Sequence, residues 1–457
     1  MHLVAKRTAT TVPITPLPGK RALRKWLEKE GKLVNNWVTA TKYRARSGTF
    51  CLVPARDGKL ARVLVGVNPE EVTWQLARLP AALPKGRYYL DAEVGTADAN
   101  ALALGWELGT YRFHRYKPTK ASFSQLVWPE AADRHWVTSM AEAIALGRDL
   151  ITTPAEDMGP EQLGEATANL AKECKAKFKQ IVGDDLLEHN FPTIHAVGRA
   201  SSRAPRLLDL TWGSTKHPKV TLVGKGVCFD SGGLDIKPAD NMKLMKKDMG
   251  GAAAVLSIAS AVMKLGLPVR LRVLIPAVEN SVSGNAFRPL DVLTTRKGIT
   301  VEVGHTDAEG RLVLSDALTE ADSEKPDLLI DVATLTGAAR VALGLSLPAL
   351  FSTDDEVAAQ LLEAGKTLED PLWQLPLHKP YRQSLNSQVA QINNVAGAFG
   401  GAITAALFLK EFVSKETRWM HIDTMGYNIS SLPGRPMGGE VLGARAVVGL
   451  LQRLYAS

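Results

Sequence analysis

The 457-residue chain carries 55 Lys and Arg against 47 Asp and Glu, a formal net charge of +8, with 45% hydrophobic and 22% charged residues. Those proportions are ordinary for a globular protein and exclude a disordered chain. No stretch is uniformly apolar over the ~18 residues that a bilayer span requires; the most apolar, Gly250 to Leu267, is interrupted by Ser257, Ser260 and Lys264, which argues against a membrane-spanning protein.

The three cysteines, Cys51, Cys174 and Cys228, are odd in number and far apart. They make no disulfide framework and point to a reducing compartment. The first residues lack the apolar core of a secretory signal, so a cytoplasmic location is expected. Residues 1–50 hold eleven Lys and Arg against two Glu, so the net charge is concentrated there. A basic patch can meet nucleic acid or an acidic partner. A solvated surface with a basic helix around Ala22–Gly31 is the preferred reading, since no zinc-finger spacing or RNA-binding aromatic signature supports the sharper one.

In chain order, β-type runs at Thr49–Val53, Ala61–Val65 and Arg87–Asp91 alternate with helical patterns at Pro69–Leu79 and Asn100–Tyr111. They predict a small N-terminal α/β domain over residues 1–130. A long helical pattern then runs from Pro129 to Leu150, with Trp136, Met140, Ile144 and Leu150 at helical spacing, and stops before Pro154. It reads as a connector opening the second domain, residues 131–457. Strands at Lys219–Val223, Arg270–Pro276 and Asp327–Ala333 then alternate with helices at Gly251–Leu265 and Leu312–Asp322. That alternation predicts a mixed or parallel sheet flanked by helices, with ligands bound at the carboxyl ends of its strands.

Unusual residues fall at those ends. Lys225 follows one apolar strand, Asp230 precedes Ser-Gly-Gly, and Asp248 precedes the Gly-Gly that opens a helix. Singly, Asp230 reads as a turn residue and Asp248 as a helix N-cap. A second cluster, Gly304-His305-Thr306-Asp307-Ala308-Glu309-Gly310-Arg311, changes that reading. Asp307 and Glu309 alternate, so an extended backbone would present both on one side. Four carboxylates converging in one cleft repel unless cations lie between them, and oxygen-rich sets of this kind suit a pair of divalent ions.

Thr306-Asp-Ala-Glu-Gly-Arg-Leu312, Gly224-Lys-Gly-Val with Phe229-Asp-Ser-Gly-Gly233, Leu244-Met-Lys-Lys-Asp-Met-Gly-Gly251 and Asp331-Val-Ala-Thr-Leu-Thr-Gly337 together resemble the leucyl aminopeptidase family of dinuclear zinc or manganese exopeptidases, peptidase family M17. The resemblance runs from about Arg148 to the C-terminus. It implies one metal held by Lys225, Asp230, Asp248 and Glu309, and a second by Asp230, Asp307 and Glu309, with a shared water as nucleophile. It implies Lys237 as electrophile, Arg311 as the holder of a bicarbonate base, and Met245, Thr334, Leu335, Gly337 and His305 as substrate-binding residues. A preference for Leu, Met or other apolar first residues, peptide substrates and a homohexamer follow from the same resemblance. Its rivals are a DNA-binding protein using the basic N-terminal region and a catalytically dead relative kept for assembly. The sequence departs from the family pattern at His305, where Asn is usual, at Leu290, where Gly is usual, at Thr152 and Glu156, both usually Asn, and at the added carboxylate Asp235.

Overall fold

The computed structural model describes residues 1–118 and 121–456. It separates into two compact units, Met1–Ala145 with Ser430–Pro436, and Leu146–Ile429 with Met437–Ser457. The division therefore falls inside the long helix, Arg134–Thr152, rather than ahead of it at residue 130.

The smaller unit is built on six strands in the order Leu3–Val4, Gln125–Val127, Arg87–Leu90, Val12–Leu17, Leu60–Gly66, Phe50–Pro54, parallel except for the last pair. The basic N-terminal segment forms two helices, Gly19–Leu27 and Lys32–Ala40. The first buries Leu23 against Leu17, Val38, Cys51 and Leu64, while Lys20, Arg21, Arg24 and Lys25 are exposed. One expectation fails here. Pro69–Leu79 is a string of turns leading into a single helical turn, Leu79–Ala82. The Asn68 side chain accepts from Glu70 N and Gln75 Oε1 accepts from Asn68 N, bonds that hold the backbone in turns. The segment also lies against Gly105 and Gly109 of the helix Thr96–Thr110, so close that a Cβ on Gly105 would meet the Thr73 carbonyl oxygen at 1.6 Å. Packing has overridden helical propensity.

The larger unit contains a mixed nine-stranded sheet, as the alternating pattern predicts. Its order is Trp373–Gln374, Ala349–Ser352, Trp419–Asp423, Leu328–Ala333, Lys219–Gly224, Arg270–Asn280, Arg206–Trp212, Lys177–Val182, with Gly226–Asp230 pairing alongside the end of Arg270–Asn280. The central strands are parallel to one another and buried, which is why they read as continuous apolar runs. The helices Gly250–Leu265 and Glu309–Ser323 pack against this sheet. By length and mean hydropathy (1.3), Met245–Leu265 is apolar enough to cross a membrane, a qualification to the sequence reading. Its most apolar window is 89% buried inside the unit, so packing in the core explains its composition.

Candidate metal centre and substrate cleft

Four parallel strands deliver the site. Lys225 leaves the strand Lys219–Gly224, Asp230 ends Gly226–Asp230, Asn280 ends Arg270–Asn280, and Thr334 follows Leu328–Ala333. All four lie at carboxyl ends, where open α/β sheets hold their ligands. The backbone of Lys225 is pinned from both sides, its N–H donating to Val332 O at 3.0 Å and its carbonyl accepting from Ala252 N at 2.8 Å.

After Asp230 the chain turns back through Gly232 and Gly233 at φ +89° and +69°, a left-handed path that glycine takes without a Cβ clash. The turn closes with Lys237 N donating to Ser231 O at 2.9 Å. It thereby sets the Lys237 ammonium 2.8 Å from Asp230 Oδ2 and against Asp307 Oδ1. Asp248 lies in the 3₁₀ turn Met245–Met249 and caps no helix. Its Oδ1 accepts from Thr334 Oγ1 at 2.8 Å, and its Oδ2 is 2.6 Å from Lys225 Nζ. The ordinary capping role is therefore excluded for Asp248.

Asp307 and Glu309 are brought together, but not by extended backbone. Thr306–Ala308 is a 3₁₀ turn and Glu309 begins the helix Glu309–Ser323. The His305 side chain makes this turn by accepting from Asp307 N at 3.1 Å, and that local hydrogen bond outweighs the alternation read from the sequence. Asp230, Asp307 and Glu309 each offer an oxygen, all within 4.8 Å of one another. Lys225 Nζ lies 2.8 Å from Glu309 Oε1.

Asp230, Asp248, Glu309 and Lys225 are 1–3% exposed, so their charges meet little solvent. Burial, then Glu309 and Asp248, push the Asp230 carboxyl well above the usual range, and burial raises Glu309 as well. Burial also opposes ionisation of Asp248, but Lys225 and Lys247 hold that carboxyl below its usual value. The Lys225 ammonium, which burial disfavours, is held high by Asp248, Glu309 and Asp230. Arg311, on the same helix as Glu309, is pushed down by burial to about 10.

The donor set fits divalent ions. Glu309 Oε2 is buried with neither hydrogen bond nor ion pair, while Glu309 Oε1, Asp248 Oδ2 and Asp307 Oδ1 each meet only a lysine ammonium. Buried anionic oxygens without donors are costly, and clustered carboxylate oxygens are ligands that divalent cations satisfy. The carboxyls that burial and like charge raise, Asp230 and Glu309, are the two that the resemblance implies as bridging.

The cleft beside the cluster has a volume of about 510 Å³. It is lined by Lys225, Asp230, Asp248 and Asp307, by Lys237 and Arg311, and by Met245, Thr334, Leu335, Gly337 and His305. Every site residue named from the sequence is thus on this cleft or, for Glu309, in the carboxylate cluster beside it. Three contributors escaped the sequence reading. Asn280 Nδ2 donates to Asp230 Oδ1 and to Thr306 O, holding both carboxylate-bearing turns together. Asn394 accepts from Gly304 N at 2.8 Å and donates to His305 O at 2.9 Å, and its carbonyl accepts from Arg311 Nη1 at 2.6 Å. Gly310 packs on the Lys225 side chain. Asn280 follows Glu279 in a pair that also matches the family pattern, whereas nothing in the sequence around Asn394 marks it.

The departures from the family pattern have structural roles. Thr152 Oγ1 accepts from Gly439 N and Glu156 Oε2 pairs with Arg203, while Asp235 Oδ2 accepts from Thr306 N. Leu290 has φ +69°, a conformation that explains why glycine is usual there.

A buried carboxylate–lysine cluster with unsatisfied anionic oxygens, at the carboxyl ends of parallel strands, defines a metal-dependent α/β hydrolase. Residues 145–448 match the cytosol aminopeptidase family catalytic domain, and residues 12–129 match the M17 aminopeptidase N-terminal domain. The chain belongs to the cytosol aminopeptidase family, M17, and is a metalloexopeptidase of the leucyl aminopeptidase type. It is 38% identical over 411 residues to a probable cytosol aminopeptidase of Syntrophotalea carbinolica, covering 86% of this chain and 80% of the relative. Peptidase B of Pectobacterium carotovorum is 42% identical over 331 residues, 70% of this chain and 76% of that protein. Among solved structures, the cytosol aminopeptidase of Coxiella burnetii matches with a TM-score of 0.95 at 48% identity, over 99% of both chains. The bottromycin maturation enzyme BotP in complex with Mn matches with a TM-score of 0.87 at 34% identity, over 98% of this chain and 100% of that one.

Proposed function

We propose that this metal-dependent aminopeptidase removes apolar first residues, Leu and Met above all, from peptides in the cytoplasm. The observation that carries the reading is the cluster of Asp230, Asp307 and Glu309 beside buried Lys225, with Glu309 Oε2 left without a donor. Lys225, Asp230, Asp248 and Glu309 would hold one ion and Asp230, Asp307 and Glu309 the other, zinc or manganese. The bound ions supply Lewis acidity towards the scissile carbonyl and acidify the water that attacks it. A neutral Lys225 amine is the form that ligates, and replacing its ammonium by dications reverses the balance that now keeps it charged.

Lys237 serves as the electrophile. Its ammonium is held between Asp230 and Asp307, so it is fixed before any negative charge develops on the carbonyl oxygen. Arg311 is anchored through Nη1 to Asn394 O and has an unpartnered Nε. A guanidinium with free donors suits a planar anion, and bicarbonate in that position would be the general base. The buried thioether of Met245 and the Thr334 and Gly337 backbone supply the first-residue pocket, with Leu335 beside them. The homohexamer is carried by the resemblance alone. The cytoplasmic assignment is supported by the relatives being cytosol aminopeptidases by name.

Hydrolysis of Leu-p-nitroanilide after chelation and after Mn²⁺ or Zn²⁺ add-back tests the reading. Activity should vanish and return with metal, and N-acetyl-Leu-p-nitroanilide should resist cleavage. Equal cleavage of the free and acetylated substrates would overturn the exopeptidase assignment.

A further inference from the structure

The chain between the strand Leu328–Ala333 and the helix Gly337–Leu343 forms one wall of the cleft, since Thr334, Leu335, Thr336 and Gly337 all line it. This short segment belongs to neither element, so the N–H groups of Leu335 and Thr336 have no ladder or helix partner and must find another. At its start, Thr334 Oγ1 donates to Asp248 Oδ1 at 2.8 Å. Beyond that point a single side chain holds it. Asp423 Oδ1 accepts from Leu335 N at 2.9 Å and from Thr336 N at 3.1 Å, and Asp423 Oδ2 accepts from Thr336 Oγ1 at 2.6 Å.

Asp423 ends the strand Trp419–Asp423, in register with Ala333. It is 3% exposed and does not itself line the cleft. A carboxylate buried on neutral donors is costly unless each of its bonds is made. An apolar side chain would fill the same space without that cost, so the three bonds account for the acid.

The third bond also sets a direction. The Thr336 hydroxyl has one proton, which goes to Asp423. A lone pair is thereby left for Ala339 N, 3.0 Å away, and the hydroxyl caps the helix Gly337–Leu343. A carboxylate can only accept and so fixes this arrangement, whereas an amide nitrogen in place of Oδ2 would oppose it.

We infer that Asp423 is a positioning residue of the aminopeptidase: it sets the Leu335–Gly337 wall against which the substrate's first residue lies, and so contributes to the choice of that residue without touching it. The inference rests on the aminopeptidase reading above and deepens it.

The test compares Leu- and Ala-p-nitroanilide on the full-length Mn²⁺-loaded enzyme, because the ratio of their kcat/KM values does not depend on the fraction of enzyme that is active. The wild type should prefer Leu. Asp423→Ala frees all three donors and should lower the Leu-to-Ala ratio by about tenfold, raising KM for Leu more than it lowers kcat, with metal content per subunit unchanged. Asp423→Asn keeps an acceptor for the two N–H groups and should lower the ratio by a smaller factor. Should Asp423→Ala fold poorly, Thr336→Val removes the third bond and the cap and should lower the ratio, and Thr336→Ser should return it. A ratio unmoved in these variants, with only the melting temperature lowered, overturns the positioning role and leaves the aminopeptidase intact. Loss of bound metal in Asp423→Ala overturns it as well, by making Asp423 a support of the metal cluster. Failure of the wild type to cleave either substrate overturns the aminopeptidase reading and this inference with it.

Discussion

Gly310 and Lys225 are in such close contact that a Cβ on the glycine would lie 2.6 Å from Lys225 Cε and 2.7 Å from Nζ. The lysine cannot swing aside, because its amine is held by Asp248 and Glu309 and its backbone is fixed between Val332 and Ala252. The glycine therefore makes room for the Lys225 side chain. Gly310→Ala should displace the amine, at an overpacking cost of ~1–3 kcal/mol. Retained metal per subunit should fall, and kcat/KM on Leu-p-nitroanilide should drop by about 10²-fold. Full metal content with wild-type activity would show that the lysine relaxes without consequence.

Asp248 caps no helix, so its carboxylate is free of that duty. Asp248→Asn keeps an acceptor for Thr334 Oγ1 and loses the charge facing Lys225. The variant should fold, with a circular-dichroism spectrum like that of the wild type, and lose about 10³-fold in kcat/KM. Near-full activity would return Asp248 to a structural role.

Lys237 and Arg311 are assigned to the transition state. Lys237→Ala and Arg311→Ala should each lower kcat far more than they raise KM. Added bicarbonate should accelerate the wild type and leave Arg311→Ala unmoved. An equal response from both proteins would refute the anion role of Arg311.

His305 combines two duties in one side chain. Nδ1 accepts from Asp307 N at 3.1 Å, while about half of the ring is exposed on the cleft. Asparagine can supply the same acceptor with less bulk. His305→Asn should therefore keep metal content and shift preference towards bulkier second residues in a Leu-Xaa dipeptide series. His305→Ala removes the acceptor as well and should lower metal content. An unchanged Xaa ranking in the asparagine variant would make the histidine a silent replacement.

Leu290 is 70% exposed and held at φ +69°. A left-handed residue with a Cβ costs ~1–2 kcal/mol, and glycine gives back ~0.5–1 kcal/mol through the unfolded chain. Leu290→Gly should raise stability by up to about 1 kcal/mol, read as a higher urea midpoint with unchanged m-value. A lower midpoint would mean that contacts of the leucine outweigh the strain.

The strands of the large sheet are legible because parallel strands covered on both faces are apolar over most of their length, as in Val273–Ile275 and Leu328–Ile330. The carboxylates and lysines were legible because the site's chemistry confines residue type at each strand end. Pro69–Leu79 was misread because its backbone is held in turns by Asn68 and Gln75 and pressed against Gly105. Composition does not record such contacts. The path from Asp307 to Glu309 departs from the extended reading for a similar reason, since one hydrogen bond from Asp307 N to the His305 side chain converts the stretch into a turn.

The sequence by itself determined the α/β class, the family and the residues of the carboxylate–lysine cluster, because apolar periodicity and ionisable residue types are written directly in the chain. Tertiary structure alone decided which partner each of those residues meets. Asp248 pairs with Lys225 rather than capping its helix, Asn280 ties Asp230 to Thr306, and Asn394 fixes both Arg311 and the His305 turn across more than eighty residues of chain. Such pairings depend on distances of a few ångströms between segments remote in sequence. Only the closed fold, with solvent excluded and each buried charge forced to find a partner, sets them.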